Sequence, residues 1–339
     1  MFKAATIKDI AQALSVSPST VSRALRNSYE ISEEKKKMIL DYAAKINYHS
    51  NPIAVSLRNK RSYSIGVMVT EVANSFFSQT IDGIESIAYE KGYNIIISQS
   101  HDSYEREVIN IEHLASRSVD GLLISMSAQT TDYNHIEMLH KQGLPIVFFD
   151  RILNSIDTYK VTTDNSKAAF DAISLLLSKG YKRIAHIANA PHLSITLDRL
   201  KGYTEALRGA DLPFDKDLVE FCFSGGKDLM EVDLAIERLL SLRPAPDAIF
   251  ISSDLLSNAS LRTLKAKRLE SSIPIIGFSN SDVVDLMSPE FSYVRQRAFE
   301  MGQIAIKMLI KLIESKYPIY EFETKLLDAD LCNLELLNR

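Results

Sequence analysis

The sequence predicts an α/β protein in two parts. A small three-helix N-terminal domain with helix-turn-helix character comes first, followed by two doubly wound parallel-sheet lobes. Three observations carry this reading. The first 60 or so residues place apolar side chains at helical spacing and contain no strand-like run. From Ser64 onward, short apolar runs ending at turn residues alternate with amphipathic stretches, the pattern of strands buried on both faces between covering helices. That alternation pauses between Asp150 and Asp164 and then resumes, which implies two lobes. A chain of 339 residues is long enough for two or three domains with their own cores.

At the front, Ile7, Ile10, Ala11 and Leu14 share one face of a first helix. Ser15-Val16-Ser17 breaks the pattern, with Val16 as an apolar plug at the corner. Ser17 suits an N-cap and Pro18 the first helical position, where a missing N–H costs nothing. Val21, Ala24 and Leu25 form the buried face of this second helix, leaving Pro18, Ser19, Thr20, Ser22, Arg23 and Arg26 outward. Small hydroxyls and guanidinium forks of this kind suit a DNA major groove, where arginine bonds guanine O6 and N7 together. Ser32 is positioned to cap a third helix, with Met38, Ile39, Tyr42, Ala43 and Ile46 toward the core.

The run Thr6-Ile7-x-Asp9-Ile10-Ala11, then Val16-Ser17-x-x-Thr20-Val21-Ser22-Arg23-x-Leu25, resembles the DNA-binding headpiece of the lactose-repressor (LacI/GalR) family of bacterial transcription regulators. The resemblance implies a headpiece over 1–48, a hinge over 49–61 and a ligand-binding, dimerising core over 62–339. The core would resemble type I periplasmic sugar-binding proteins, with lobe one over about 62–162 and 293–320 and lobe two over about 163–292 and 321–339. It further implies that Thr6, Ser17, Pro18, Ser19, Thr20, Ser22 and Arg23 face DNA. In the hinge, Asn51, Pro52, Ile53, Ala54 and Leu57 allow a short helix. By resemblance, Ala54 and Leu57 enter the minor groove, where leucine wedges kink a duplex.

In the core, strands are predicted at Ser64–Thr70, Tyr93–Gln99, Gly121–Ser125 and Pro145–Phe149. After the pause they continue at Arg183–Ile187, Leu218–Phe223, Ala248–Ile251 and Ile273–Gly277, with a short one near Tyr293–Val294. Ligands of open α/β sheets bind beyond the carboxyl ends of the strands. That rule singles out the segments holding Phe76, Asp150, Phe223, Asp254 and Gln296, together with the loop leading to Arg199. The resemblance places ligand contacts at these six positions. Carboxylates, a guanidinium fork and aromatic rings suit a sugar-like ligand. Ser253-Asp254 stands where the family more often has Asn-Asp, and Gly277-Phe278-Ser279 where it has Gly-Phe-Asp, differences that bear on which ligand binds.

Charge agrees with a nucleic-acid-binding front end. Residues 1–60 hold ten Lys and Arg against five Asp and Glu, while the whole chain is at −4. Hydrophobic content of 46% and charged content of 24% are ordinary for a globular protein. The two cysteines, Cys222 and Cys332, form neither a disulfide framework nor a zinc cluster and read as inert buried thiols. No export signal or spanning apolar run is evident, so the expectation is a cytoplasmic protein. Ser224-Gly225-Gly226-Lys227-Asp228 lacks the leading glycine and trailing hydroxyl of a P-loop, and no nucleophile elbow or metalloprotease motif occurs. No catalytic residue, cofactor or metal is therefore expected. The expected partners are a near-palindromic double-stranded operator, a small carbohydrate-like effector and a second copy of the chain. Rival readings are a transport-associated sugar-binding protein, which would have no use for the basic headpiece, and a sugar hydrolase using Asp150 and Asp254, which would show turnover.

Overall fold

The computed structural model describes residues 5–48, 61–269, 273–284 and 291–334. They fall into two units, one over 1–62 and one over 63–339. The connector holding Ala54 and Leu57 lies outside the described residues.

The first unit has helices α1 (Ile7–Ala13), α2 (Pro18–Ala24) and α3 (Glu33–Lys45). Ile10, Ala11, Val21, Ala24, Ile39 and Ala43 form its buried centre, ringed by Ile7, Leu14, Val16, Leu25, Ile31, Tyr42, Ile46 and Tyr48. Thr6 and Asp9 make a reciprocal capping box on α1. Ser17 caps α2 by accepting from Thr20 N at 3.1 Å. Two expectations for α3 need correction. Ser32 precedes the helix but makes no side-chain capping bond. Met38 is 41% exposed, and Lys36 takes the inward position instead. Lys36 lies three residues before Ile39 and seven before Ala43, so its stem shares their face while its ammonium reaches Glu33 at 2.7 Å.

The second unit contains two six-stranded sheets. The first holds β1 (Ser64–Val69), β2 (Asn94–Gln99), β3 (Gly121–Ile124), β4 (Ile146–Phe149), β5 (Lys160–Thr163) and β11 (Thr324–Leu327), in the order β11-β5-β4-β3-β1-β2. The second holds β6 (Ile184–Asn189), β7 (Val219–Cys222), β8 (Ala248–Ile251), β9 (Ile275–Phe278), β10 (Phe291–Gln296) and β12 (Ala329–Cys332), in the order β12-β10-β9-β8-β6-β7. All pairings are parallel except β10 with β12.

Three crossings join the lobes, and two of them fall later than expected. Phe291–Gln296 pairs with β9, so β10 is entirely a lobe-two strand and the chain returns to lobe one only at α11 (Ala298–Glu314). Thr324–Leu327 then adds an edge to lobe one before β12 crosses back. The expected boundaries at 293 and 321 therefore move to about 297 and 328. The later crossing is hidden because β11, Thr-Lys-Leu-Leu, is short, polar and mostly exposed, so it does not read as a strand from composition alone.

The helix α4 (Ser75–Glu90) packs directly on α11. Their backbones meet at Gly83 and Gly302, where an added methyl would overlap the carbonyls of Phe299 and Thr80 respectively. Among the described residues, the remaining α-helices are α5 (Tyr104–Ser116), α6 (Asn134–Lys141), α7 (Asn165–Ser178), α8 (Ser194–Gly209), α9 (Leu229–Ser241) and α10 (Asp254–Ala266). Among the described residues, no helix is long and apolar enough to cross a membrane.

Candidate ligand cleft and nucleic-acid interface

Between the two sheets lies a cavity of about 280 Å³. Its lining includes all six residues singled out from the sequence: Phe76, Asp150, Arg199, Phe223, Asp254 and Gln296. Strand ends explain the convergence. Asp150 directly follows β4 with φ 57°, a left-handed conformation that aspartate tolerates better than most side chains. Asp254 opens α10 after β8, Phe223 follows β7, and Gln296 ends β10. Phe76 lies in the first turn of α4, against Phe77 at 5.2 Å between ring centroids.

Arg199 is held on three sides. Its Nε donates to Asn165 Oδ1 at 2.7 Å, its Nη1 donates to the Ser252 carbonyl, and the guanidinium lies 3.6 Å over the Phe278 ring. Burial pulls its pKa down to about 10, with Asp150 opposing that shift. Asp150 is 6% exposed and accepts from Ser125 Oγ at 3.4 Å. Burial raises its carboxyl above the usual range against the opposing pull of Arg151 and Arg199. Asp254 is raised by burial too, although Ser279 Oγ donates to it at 2.9 Å and Asn74 Nδ2 at 3.1 Å. The Asn74 bond spans the lobes, since Asn74 also caps α4 in lobe one. Gln296 donates to Thr163 Oγ1 at 2.8 Å, placing this site residue at a crossing between lobes. Gln79 and Asn280 exchange two further bonds across the cleft, at 2.9 and 3.0 Å.

Three of the lining residues outside the six, Asp102, Arg151 and Lys227, form one charged cluster. Asp102, after β2, accepts from Arg151 Nη1 and, at 3.1 Å, from Lys227 Nζ of lobe two. Burial acts to raise Asp102, but the two cations overcome it and hold the carboxyl at about 2. The strand-end rule that found Asp150 also points to Asp102. Lys227 had no comparable signal, because its segment stood out only as a failed P-loop.

In the first unit, the predicted DNA-facing residues Thr6, Ser17, Pro18, Ser19 and Arg23 are exposed, while Thr20 and Ser22 are half-buried. Ser17 Oγ lies 2.7 Å from Ser19 Oγ and 2.8 Å from Thr20 Oγ1, so these hydroxyls share a small network around the cap. Arg23 Nε pairs with Glu30 at 3.1 Å, and Arg26 Nε donates to the Ser22 carbonyl at 2.8 Å. Cys222 is buried, which pushes its thiol up to about 12, whereas Cys332 is only half-buried. Among the described residues, no group of three or more His, Cys, Asp or Glu is placed to hold a metal ion.

A helix-turn-helix unit carried on the same chain as a two-lobed cleft defines a ligand-binding regulator of DNA. Residues 6–51 match the profile of bacterial regulatory proteins of the lacI family, and residues 65–317 match the periplasmic binding protein domain. Catabolite control protein A of Priestia megaterium is 30% identical over 317 residues, covering 92% of this chain and 93% of the relative. The transcriptional repressor CytR of Escherichia coli strain K12 is 30% identical over 319 residues, covering 93% and 91%. The solved complex of the regulator CelR with cellobiose has TM-score 0.70 at 25% identity, covering 97% of this chain and 98% of that one. The Lac repressor bound to ONPG shares the fold with TM-score 0.80 at 20% identity, again covering 97% and 98%. The chain belongs to the lacI family of bacterial regulatory proteins and is a DNA-binding transcriptional regulator.

Proposed function

We propose that this chain is a cytoplasmic, homodimeric, sequence-specific repressor whose operator affinity is set by an uncatalysed binding event: a carbohydrate-like effector entering the cleft. Helix α2 enters the major groove, with Pro18, Ser19 and Arg23 at base edges. Thr6, Ser17, Thr20 and Ser22 fix the phosphate backbone, contacts that position without reading sequence. Ala54 and Leu57 of the connector take the minor groove, as the family resemblance implies. Two copies meet a near-palindromic operator, each headpiece in its own half-site.

The single observation that supports the effector reading best is the convergence of six residues, spread from Phe76 to Gln296, on one cavity. Their chemistry fits a polyol. Carboxylates accept from hydroxyls, the fixed guanidinium donates to them, and Phe76 and Phe223 offer ring faces to the carbon skeleton. Closure over such a ligand shifts the lobes relative to each other, and the DNA-binding form becomes more or less populated. The test is operator binding by fluorescence anisotropy, using the DNA upstream of the chain's own gene with a panel of free sugars. At least one sugar is expected to change the affinity about 5–150-fold, the usual range of such couplings. Weak, sequence-blind attachment that no sugar alters would refute the proposal. An incubation that returns every sugar unchanged distinguishes this regulator from a hydrolase using Asp150 and Asp254.

A further inference from the structure

The charges around the cleft do not balance, and the imbalance disfavours an anionic ligand. This argument rests on the cleft being the effector site. Four carboxylates line it (Glu71, Asp102, Asp150 and Asp254), against the three strong cations Arg151, Arg199 and Lys227. Two of those cations are committed to one carboxylate. Arg151 donates to Asp102 Oδ1 from the same lobe, while Lys227 reaches across from lobe two to Asp102 Oδ2 at 3.1 Å and to the His101 carbonyl at 2.9 Å. Glu71 lies 2.8 Å from His101 Nδ1.

Among the described residues, Asp150, Asp254 and Arg199 are the lining groups of this set outside any ion pair. Asp254 is held by the neutral donors Asn74 and Ser279 and by the Asn280 backbone N–H. Arg199 already serves Asn165, the Ser252 carbonyl and the Phe278 ring. A phosphate or carboxylate in this cavity would therefore add negative charge beside two carboxylates that make no direct ion pair, facing Arg199, whose fork is largely occupied and already lends its charge to Asp150. Like charges at such range in a poorly screened site repel strongly. Lys227, in its turn of Ser224, Gly225 and Gly226, is the side chain best suited to greet a phosphate, and Asp102 has already claimed it.

We propose that the cleft selects an uncharged polyol, a free sugar or glycoside, and rejects phosphorylated or acidic counterparts, with the Lys227–Asp102–Arg151 clasp enforcing the rejection. The clasp links the two lobes, so releasing Lys227 for an anion also costs a contact between them.

The test is calorimetric titration of the full chain with matched probes: glucose and glucose 6-phosphate, ribose and ribose 5-phosphate, fructose and fructose 6-phosphate, with cellobiose and gluconate as further neutral and acidic members. In every pair that binds, the uncharged member is expected to bind at least tenfold tighter. A phosphorylated or acidic probe that binds equally well or better overturns the proposal and leaves the carbohydrate reading standing. Silence from every probe refutes the carbohydrate reading and this proposal with it. Asp102→Asn frees Lys227, so in the folded variant the phosphorylated probe should gain at least tenfold relative to the uncharged one. An unchanged ratio refutes the role of the clasp. In the unmutated chain, raising salt from about 0.05 to 0.5 M screens the repulsion and should narrow the preference, and a preference indifferent to salt overturns its electrostatic origin.

Discussion

Arg199→Lys isolates what the guanidinium fork does, because it keeps the positive charge while removing the planar geometry. The arginine spends Nε on Asn165, Nη1 on the Ser252 carbonyl and its flat face on Phe278. One lysine ammonium on a flexible stem satisfies at most one of the two acceptors and does not stack in the same way. A buried hydrogen bond to a charged group contributes about 1.5–3 kcal/mol, and a desolvated cation–π contact about 2 kcal/mol. The two losses overlap, so a total of about 2–4 kcal/mol is expected, equivalent to a melting temperature lower by roughly 4–15 °C. Differential scanning calorimetry of the ligand-free chain reads this directly. A melting temperature within about 2 °C of the parent would refute the idea that Arg199 braces the floor of the cleft as well as facing its ligand.

Other perturbations test separate parts of the account. Arg23→Ala should weaken operator binding by about 1–3 kcal/mol and relax sequence preference, measured by anisotropy on operator and scrambled duplexes. Its pairing with Glu30 is half-exposed, and such pairs contribute only about 0–1 kcal/mol, so releasing Arg23 to the bases costs little. Gly302→Ala forces a methyl against the Thr80 carbonyl where α4 and α11 cross, and a loss of about 1–3 kcal/mol in urea unfolding is expected. His186 is fully buried between Tyr203 and Phe250, and neither ring nitrogen has a hydrogen-bond partner among the described residues. Burial, aided by Arg199, pulls its pKa from 6.5 down to about 3. The unfolded chain therefore takes up a proton that the folded one refuses. The contribution of the neutral ring to stability is complete above about pH 6.5 and is lost progressively toward pH 3. Between pH 7.5 and 5 this amounts to about 2 kcal/mol, and His186→Leu should abolish that part of the pH dependence in urea unfolding.

The sequence was most legible where burial is continuous. Runs such as Ile146–Phe149 and Ala248–Ile251 are apolar because both faces of a parallel strand are covered, so composition alone locates them. Lys160–Thr163 is as deeply buried, yet its lysine and threonines conceal it. The Lys160 ammonium turns back onto the carbonyls of Ile156 and Thr158, an arrangement that no periodicity announces. The same contrast holds in the cleft. Asp150, Asp254 and Gln296 follow from a rule about strand ends, which is local. The Lys227–Asp102 contact joins residues 125 positions apart and exists only when the two lobes face each other. Arg23 could be named from its place on α2, but its pairing with Glu30 depends on how the segment after that helix folds back.

The most direct test of the central claim is a reciprocal pair of titrations on the full chain. Operator affinity is measured with and without a saturating free sugar, and the affinity of that sugar with and without saturating operator. If the headpiece and the cleft belong to one coupled equilibrium, both ratios are expected to deviate from one by the same factor, about 5–150. A sugar that binds tightly in the cleft while both ratios stay at one would contradict the account.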